Sequence, residues 1–201
     1  MKKSLKRLVI DTATKYMYLS LVVDDKEVDS FYQIGDNDHS VTIMPSLEDL
    51  LQKHSVELKD LDEVIVGIGP GSYTGVRIGV TVGKMIAYLN NIPLYKVSSL
   101  ALMASYSEHE YVLPLIDARR GNAFMAFLKQ SHQNIQYIHK DVLMNINDFK
   151  EKQDKQYEVV ESGKPNIEKI LNSDLLEKIS DIHELVPNYL QVTEAERNLH
   201  K

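Results

Sequence analysis

Two aspartates and one glycine-rich string hold most of the chemistry this sequence can offer. Asp11 and Asp117 stand 106 residues apart, and each ends an apolar run, at Ile10 and at Ile116. Carboxylates set across a cleft hold Mg²⁺ or orient a water on a phosphate. Each would equally cap its own turn, because Asp bonds backbone N–H groups two residues on. The string is Gly67-Ile68-Gly69-Pro70-Gly71-Ser72-Tyr73-Thr74-Gly75-Val76-Arg77-Ile78-Gly79. Where such a turn opens a helix, unpaired N–H groups and the helix dipole favour an anion, so Gly71, Ser72 and Thr74 are candidates to meet one. The glycines would also simply let the chain pivot. Arg77 reads either as a clamp for a phosphate or carboxylate or as the partner of an acid across the fold.

Other chemistries lack their residues. Ser72 stands where a dinucleotide fingerprint needs its third Gly, and the Gly79–Met85 stretch is one residue short of a P-loop, with Met85 in place of the metal-binding hydroxyl. Pro70 and Thr74 flank Ser72 where a hydrolase nucleophile elbow needs glycines. No two of the seven histidines are four apart, and Leu113 occupies the second-ligand position after His109-Glu110. With no cysteine, thiolate metals, disulfides and thiol nucleophiles fall away together. Neither a catalytic residue nor a metal site is expected.

These residues need elements to hold them. Residues 8–11, 16–23 and 27–34 read as three strands of an antiparallel meander joined by polar turns. From Ser40 the period changes, and Ile43, Met44, Leu47, Leu50 and Leu51 predict a helix to about His54, with Pro45 in its first turn. Val64-Ile65-Val66-Gly67-Ile68 is a strand buried on both faces. A helix over 74–90, a strand over 94–97 and a short helix capped by Ser98 or Ser99 follow. In the long helix Gly75, Gly79, Gly83 and Ala87 recur every four residues. Each Gly costs about 1 kcal/mol against Ala in a helix, which close approach of another backbone would offset. That backbone belongs to the chain's own sheet, to a partner subunit, or to each on opposite faces.

The arrangement then repeats. Tyr18-Leu19-Ser20-Leu21-Val22 is matched, at the spacing that separates the aspartates, by Phe124-Met125-Ala126-Phe127-Leu128. A weaker echo links Glu63-Val64-Ile65-Val66 to Tyr157-Glu158-Val159-Val160. An α/β chain of two lobes on one plan follows, residues 1–106 and a smaller 107–201.

A length of 201 residues, 43% apolar, fits one ordinary domain or two small lobes. The 29 acids outnumber the 23 Lys and Arg, for a net charge of −6. A stand-alone nucleic-acid binder neutralises phosphates with an excess of bases, so any RNA should be held mostly by something else. Residues 111–140 are locally basic, with Arg119 and Arg120 reading first as solvated surface. No window approaches 18 apolar residues, and the run behind the basic N-terminus is too short for a signal peptide, which makes the cytoplasm the expected compartment.

Two lobes that each open with a meander and an Asp turn resemble the actin-like ATPase fold, also called the sugar-kinase/Hsp70 or ASKHA fold, a ribonuclease-H-like plan. Asp11-Thr12-Ala13, His39-Ser40, the Gly69–Gly79 string, Asp117-Ala118-Arg119-Arg120-Gly121-Asn122 and Pro187-Asn188-Tyr189-Leu190 resemble the bacterial TsaB family, also named YeaZ. The resemblance implies a part in making N6-threonylcarbamoyladenosine at position 37 of tRNAs that read codons beginning with A. It implies that a longer paralogue, TsaD, carries the metal and the transfer chemistry, and that a small ATPase, TsaE, is also needed. It further implies a TsaB-like subunit that holds no cofactor, pairs with TsaD through its first lobe, self-associates when alone and meets tRNA only through the complex.

The residues bear on that expectation. Active ATPases of this fold keep glycines after each Asp, so that backbone wraps phosphates; here Thr12-Ala13-Thr14 and Ala118-Arg119-Arg120 fill those turns. Glu161-Ser162-Gly163-Lys164-Pro165 offers one Gly where adenosine would lie. The expected partner surface is His39, Met44, Leu47 and Leu51 beside Gly75, Gly79 and Gly83, with Gly79→Leu expected to abolish partner binding and spare the fold. The alternative is a nucleotide-binding enzyme, an ATPase or transferase of the same fold, that uses Asp11 and Asp117.

Overall fold

The structure, a computed structural model, describes residues 3–35, 38–151 and 155–190. The chain opens with β1 (Lys6–Asp11), β2 (Tyr16–Val23) and β3 (Lys26–Ile34), an antiparallel meander. Leu8, Val9 and Ile10 have no solvent exposure, so β1 is covered on both faces. α1 (His39–Lys53) crosses over to β4 (Glu63–Gly67), which lies parallel to β1. α2 (Tyr73–Asn90) leads to β5 (Leu94–Val97), parallel to β4, and α3 (Ser99–Ala104) follows.

Local chemistry sets these boundaries. Ser72 Oγ accepts the Gly75 N–H at the start of α2, and Asn91 closes its end in the left-handed conformation. Ser98, not Ser99, caps α3, accepting from Leu100 and Ala101 N–H. Pro45 lies inside α1 rather than in its first turn. Lacking an N–H, it leaves the Val41 carbonyl without its intrahelical donor, and Val41 stands at the solvent face, where water can take that role.

The second unit repeats the first. β6 (Tyr111–Asp117), β7 (Asn122–Gln130) and β8 (Ile135–Asn145) form a meander, α4 (Ile146–Lys150) follows, and β9 (Glu158–Val160) lies parallel to β6. The order β8-β7-β6-β9 matches the β3-β2-β1-β4 part of the first sheet. The two hairpins are not quite superposable along the chain. Pairing closes at Asp11–Tyr18 in the first and at Asp117–Ala123 in the second, so the second turn is one residue tighter. That tightness puts Arg119, Arg120 and Gly121 together in the left-handed region, at φ 69°, 57° and 77°.

After α5 (Ile167–Leu171) the chain returns to the first sheet, where β10 (Glu177–Lys178) pairs with β5. The first sheet therefore runs β10-β5-β4-β1-β2-β3. α1 and α2 cover one face of it, in a core that joins Leu8, Ile10, Leu19, Ile43, Leu47 and Val80, and the returning segment adds Leu185. On the opposite face Val9, Tyr18 and Ile65 share a core with α3 and with Val112, Phe124 and Leu128 of the second sheet. α3 is thus the buried layer between the two sheets.

Candidate functional site

The tip of the first hairpin is pressed against the start of α2. Ser72 N–H donates to the Ala13 carbonyl at 2.7 Å, Thr12 Oγ1 donates to the Gly75 carbonyl at 2.7 Å, and the Gly79 N–H donates back to Thr12 Oγ1 at 3.0 Å. A Cβ at Gly71 would sit 2.2 Å from the Ala13 carbonyl oxygen, and one at Gly75 would sit 2.2 Å from that of Thr12. Gly79 and Gly83 lie as tightly over Thr12 and Val66. The bare stripe of α2 therefore approaches the chain's own sheet, and the expected partner role of Gly75, Gly79 and Gly83 is corrected: all three are buried. Leu47 and Leu51 are buried as well, on the inner face of α1. The periodicity that marks them as apolar is the one that turns them inward. His39 is also interior, its Nε2 donating to the Thr14 carbonyl at 3.0 Å, while Nδ1 has no partner among the described residues. Of that set only Met44 faces solvent.

Each aspartate caps its own turn. Asp11 Oδ1 accepts from Ala13 N–H at 2.9 Å and from Ser99 Oγ at 3.0 Å, and Ser99 Oγ in turn accepts from Gly69 N–H. Burial pushes the Asp11 carboxyl up to about 6, against those hydrogen bonds and the nearby His39. Asp117 Oδ1 accepts from Arg119 N–H at 2.8 Å, and its side chain is exposed. The two carboxylates do not form a pair. Asp117 lines the cleft between the hairpins, and Asp11 lies behind its wall.

That cleft, about 1100 Å³, is walled by Ala13–Tyr16, by the start of α2 with Gly71 and Ser72, by the second hairpin, and by Asn188–Leu190. Thr74 is exposed on the first turn of α2 but is not part of the wall. Arg77 is held by aromatic rings: its guanidinium lies 4.0 Å from the centre of the Tyr73 ring, donates to Tyr73 Oη, and its Nε–H donates to Tyr189 Oη at 2.8 Å. Sequence reading gave Tyr189 no part here, although its Pro187–Leu190 motif is conspicuous. It also missed Asp141, which accepts from Ser98 Oγ, Tyr137 Oη and Asn188 Nδ2, and so ties the second sheet to the cleft wall. No isolated motif surrounds Asp141 that would mark it in a sequence. Among the described residues, no three His, Asp or Glu side chains assemble as a metal site.

The outer face of the first unit is a different surface. Val41 and Met44 of α1 and Tyr73, Met85, Tyr88 and Leu89 of α2 are exposed, Leu89 at 75% and Val41 at 64%. The two helices pack side by side on the same face of the first sheet.

Comparison with known proteins then supplies relatives. Residues 33–198 match the family model described as TsaD, tRNA N6-adenosine threonylcarbamoyltransferase. The tRNA threonylcarbamoyladenosine biosynthesis protein TsaB of Bacillus subtilis is 31% identical, over 94% of this chain and 95% of its own length. The protein of the same name from Escherichia coli is 33% identical over 64% of this chain and 57% of its own. A solved structure of YeaZ from Pseudomonas aeruginosa superposes with a TM-score of 0.77 at 21% identity, covering 92% of this chain and all of that one. The α/β fold of two actin-like lobes that the sequence implied is the fold observed. The chain belongs to the TsaB family, also named YeaZ.

Proposed function

We propose that this chain serves the threonylcarbamoylation of tRNA adenosine as a non-catalytic subunit that binds a TsaD-like transferase. The observation that carries the non-catalytic part is the closed first hairpin. The space in which an actin-like ATPase wraps phosphates with backbone is occupied by contact between Thr12, Ala13 and the start of α2. The Ala13 N–H that a phosphate would take is already given to Asp11. ATP, metal and transfer chemistry then belong to the partner subunits, a TsaD-like enzyme and a TsaE-like ATPase, in the cytoplasm. No described helix is long and apolar enough to cross a membrane.

The partner-binding lobe is the first, residues 1–106, and its surface is the outward face of α1 and α2. Val41, Met44, Met85 and Leu89 leave an apolar area there of the kind that partner subunits cover. The same face serves two-fold self-association when the partner is absent. Gly79→Leu does not test this, because the added side chain would collide with Thr12 Oγ1, 2.5 Å from the Cβ position. Met44→Glu with Leu89→Glu does. Co-purification with the TsaD-like protein of the same organism should fall at least tenfold while the fold persists, and modification of tRNA by the reconstituted system should stop when this chain is omitted. Unchanged capture would reject the surface, and modification without the chain would reject the role. In calorimetry, tight Mg-ATP binding by the isolated chain that Asp11→Ala abolishes would favour the nucleotide enzyme instead.

A further inference from the structure

We propose that the rim of the interlobe cleft, formed by Arg119 and Arg120 of the second hairpin with Lys15 of the first, binds the phosphodiester backbone of RNA. This rests on the assignment of the chain to a tRNA-modifying complex, and it adds a direct contact where overall acidity alone suggests none.

Two independent features single out these arginines. The first is that neither side chain meets an acid among the described residues. Arg7, by contrast, is paired with Glu63 and Asp25, and Arg77 is held by Tyr73 and Tyr189. Asp117, the acid beside them in sequence, spends its Oδ1 on the Arg119 backbone N–H. The second is conformation. Arg119 and Arg120 both adopt positive φ, 69° and 57°, where a long side chain is disfavoured and Gly or Asn would relieve the strain. Two guanidinium groups, without an acidic partner among the described residues, are thus held exposed at the mouth of a cleft on a strained backbone.

The cleft's other residues select the ligand. Lys15 and the two arginines outnumber Asp117 and Glu161 along its wall, so the mouth favours an anion. A mononucleotide fits poorly. Its phosphates need the backbone N–H groups of the two hairpins, and those of Ala13 and Arg119 are committed to Asp11 and Asp117. What remains are cations on long stems, and planar guanidinium forks suit the spaced phosphates of a polymer. Tyr16, Tyr73 and Tyr189 also line the cleft, but their rings are already engaged, Tyr16 stacked on Tyr32 and Tyr73 packed with Arg77 and Tyr189, so the contact is assigned to charge. An RNA segment crossing from one hairpin to the other would meet cations on both sides of its backbone.

The test uses the reconstituted system of this chain, its TsaD-like partner and the TsaE-like ATPase, supplied with the threonylcarbamoyl donor and a transcribed tRNA that reads a codon beginning with A. Arg119→Gly with Arg120→Gly removes the guanidinium groups and relieves the strained φ angles. The variant complex should assemble with equal or higher thermal stability, yet bind tRNA about tenfold more weakly at physiological salt. The slope of log affinity against log salt should shrink by about 1.4, at roughly 0.7 for each phosphate contact with a single strand. Lys15→Glu, on the opposite hairpin, should weaken binding in the same sense, and Arg119→Gly with Arg120→Lys should lose less than Arg119→Gly with Arg120→Gly. Unchanged affinity and slope in a complex whose wild type modifies tRNA would overturn this proposal and leave the family role standing. A wild-type complex that neither binds nor modifies tRNA would overturn both. Displacement of RNA from the second hairpin by Mg-ATP, followed by cross-linking, would reassign the cleft to a nucleotide and overturn the proposal as well.

Discussion

Asp11 folds as a carboxylate nearly sealed from water, and its protonation sets a pH dependence opposite to that of most paired acids. Burial raises it from 3.8 to about 6. The folded state therefore takes up a proton between those values. Its contribution to stability is best below about pH 4, declines as pH rises toward 6, and is fully unfavourable above that. A shift of two pH units corresponds to at most about 3 kcal/mol. Asp11→Asn keeps Oδ1 as the acceptor for Ala13 N–H and Ser99 Oγ and removes the charge. Urea denaturation from pH 4 to 8 should show the variant gaining on the wild type across pH 4–6, reaching about 1–2 kcal/mol in its favour at neutral pH. A constant difference across the series would refute the assignment. The sequence marks Asp11 as the end of a strand at the mouth of a turn. It does not show that Ser99, 88 residues away, supplies the second hydrogen bond.

At the scale of elements, α2 shows how a legible pattern leaves its partner unnamed. A glycine every fourth residue predicts that something approaches closely. The outer face of the same helix exposes Met85, Tyr88 and Leu89, so both faces have the composition of contact surfaces. Geometry assigns the glycines to Ile10 at the end of β1, to Thr12 in its turn and to β4, and the larger side chains to solvent. Gly75→Ala should thus destabilise the fold by roughly 1–3 kcal/mol, as overpacking does, despite a gain of about 1 kcal/mol in helix propensity. The obstacle is the Thr12 carbonyl, which is backbone and cannot swing away. Thr81→Ala, on the exposed face, should stay within about 0.5 kcal/mol in the same denaturation series. A stabilised Gly75→Ala would mean that the stripe is open to a partner after all.

For the whole molecule, the two sheets are joined by contacts that no local pattern announces. Lys164 Nζ meets Glu27 Oε1 at 2.5 Å, Lys26 meets Glu168, and the Gly163 N–H donates to Tyr32 Oη. Glu27 also accepts from Tyr18 Oη, Ser20 Oγ and Ser30 Oγ. Burial alone would raise its carboxyl, but Lys164 and the hydroxyl donors outweigh that and hold it below the usual range. Its stabilising effect is therefore present above the unfolded value of about 4.5 and is lost as pH falls through the lower folded value. Glu27→Ala removes the acceptor of the deeply buried Tyr18 hydroxyl and should cost about 2–4 kcal/mol. Amide exchange across residues 162–168 should accelerate with it. Retained protection there would show that the ion pair does not hold the two sheets together.

By itself the sequence determined the things that depend on near neighbours along the chain. Period-two and period-four patterns placed the strands and helices, and the repeated Asp turns disclosed two units of one topology. Only the tertiary structure decided which way each pattern faces. It turned Leu47, Leu51 and the glycine stripe inward, moved Pro45 past the first turn of α1, and put Asp11 behind the cleft wall while Asp117 stayed on it. It also brought residues 177–190 back onto the first sheet. Burial is a property of the packed whole: a side chain is interior only once distant elements close over it, and spacing along the chain holds no record of which elements those are.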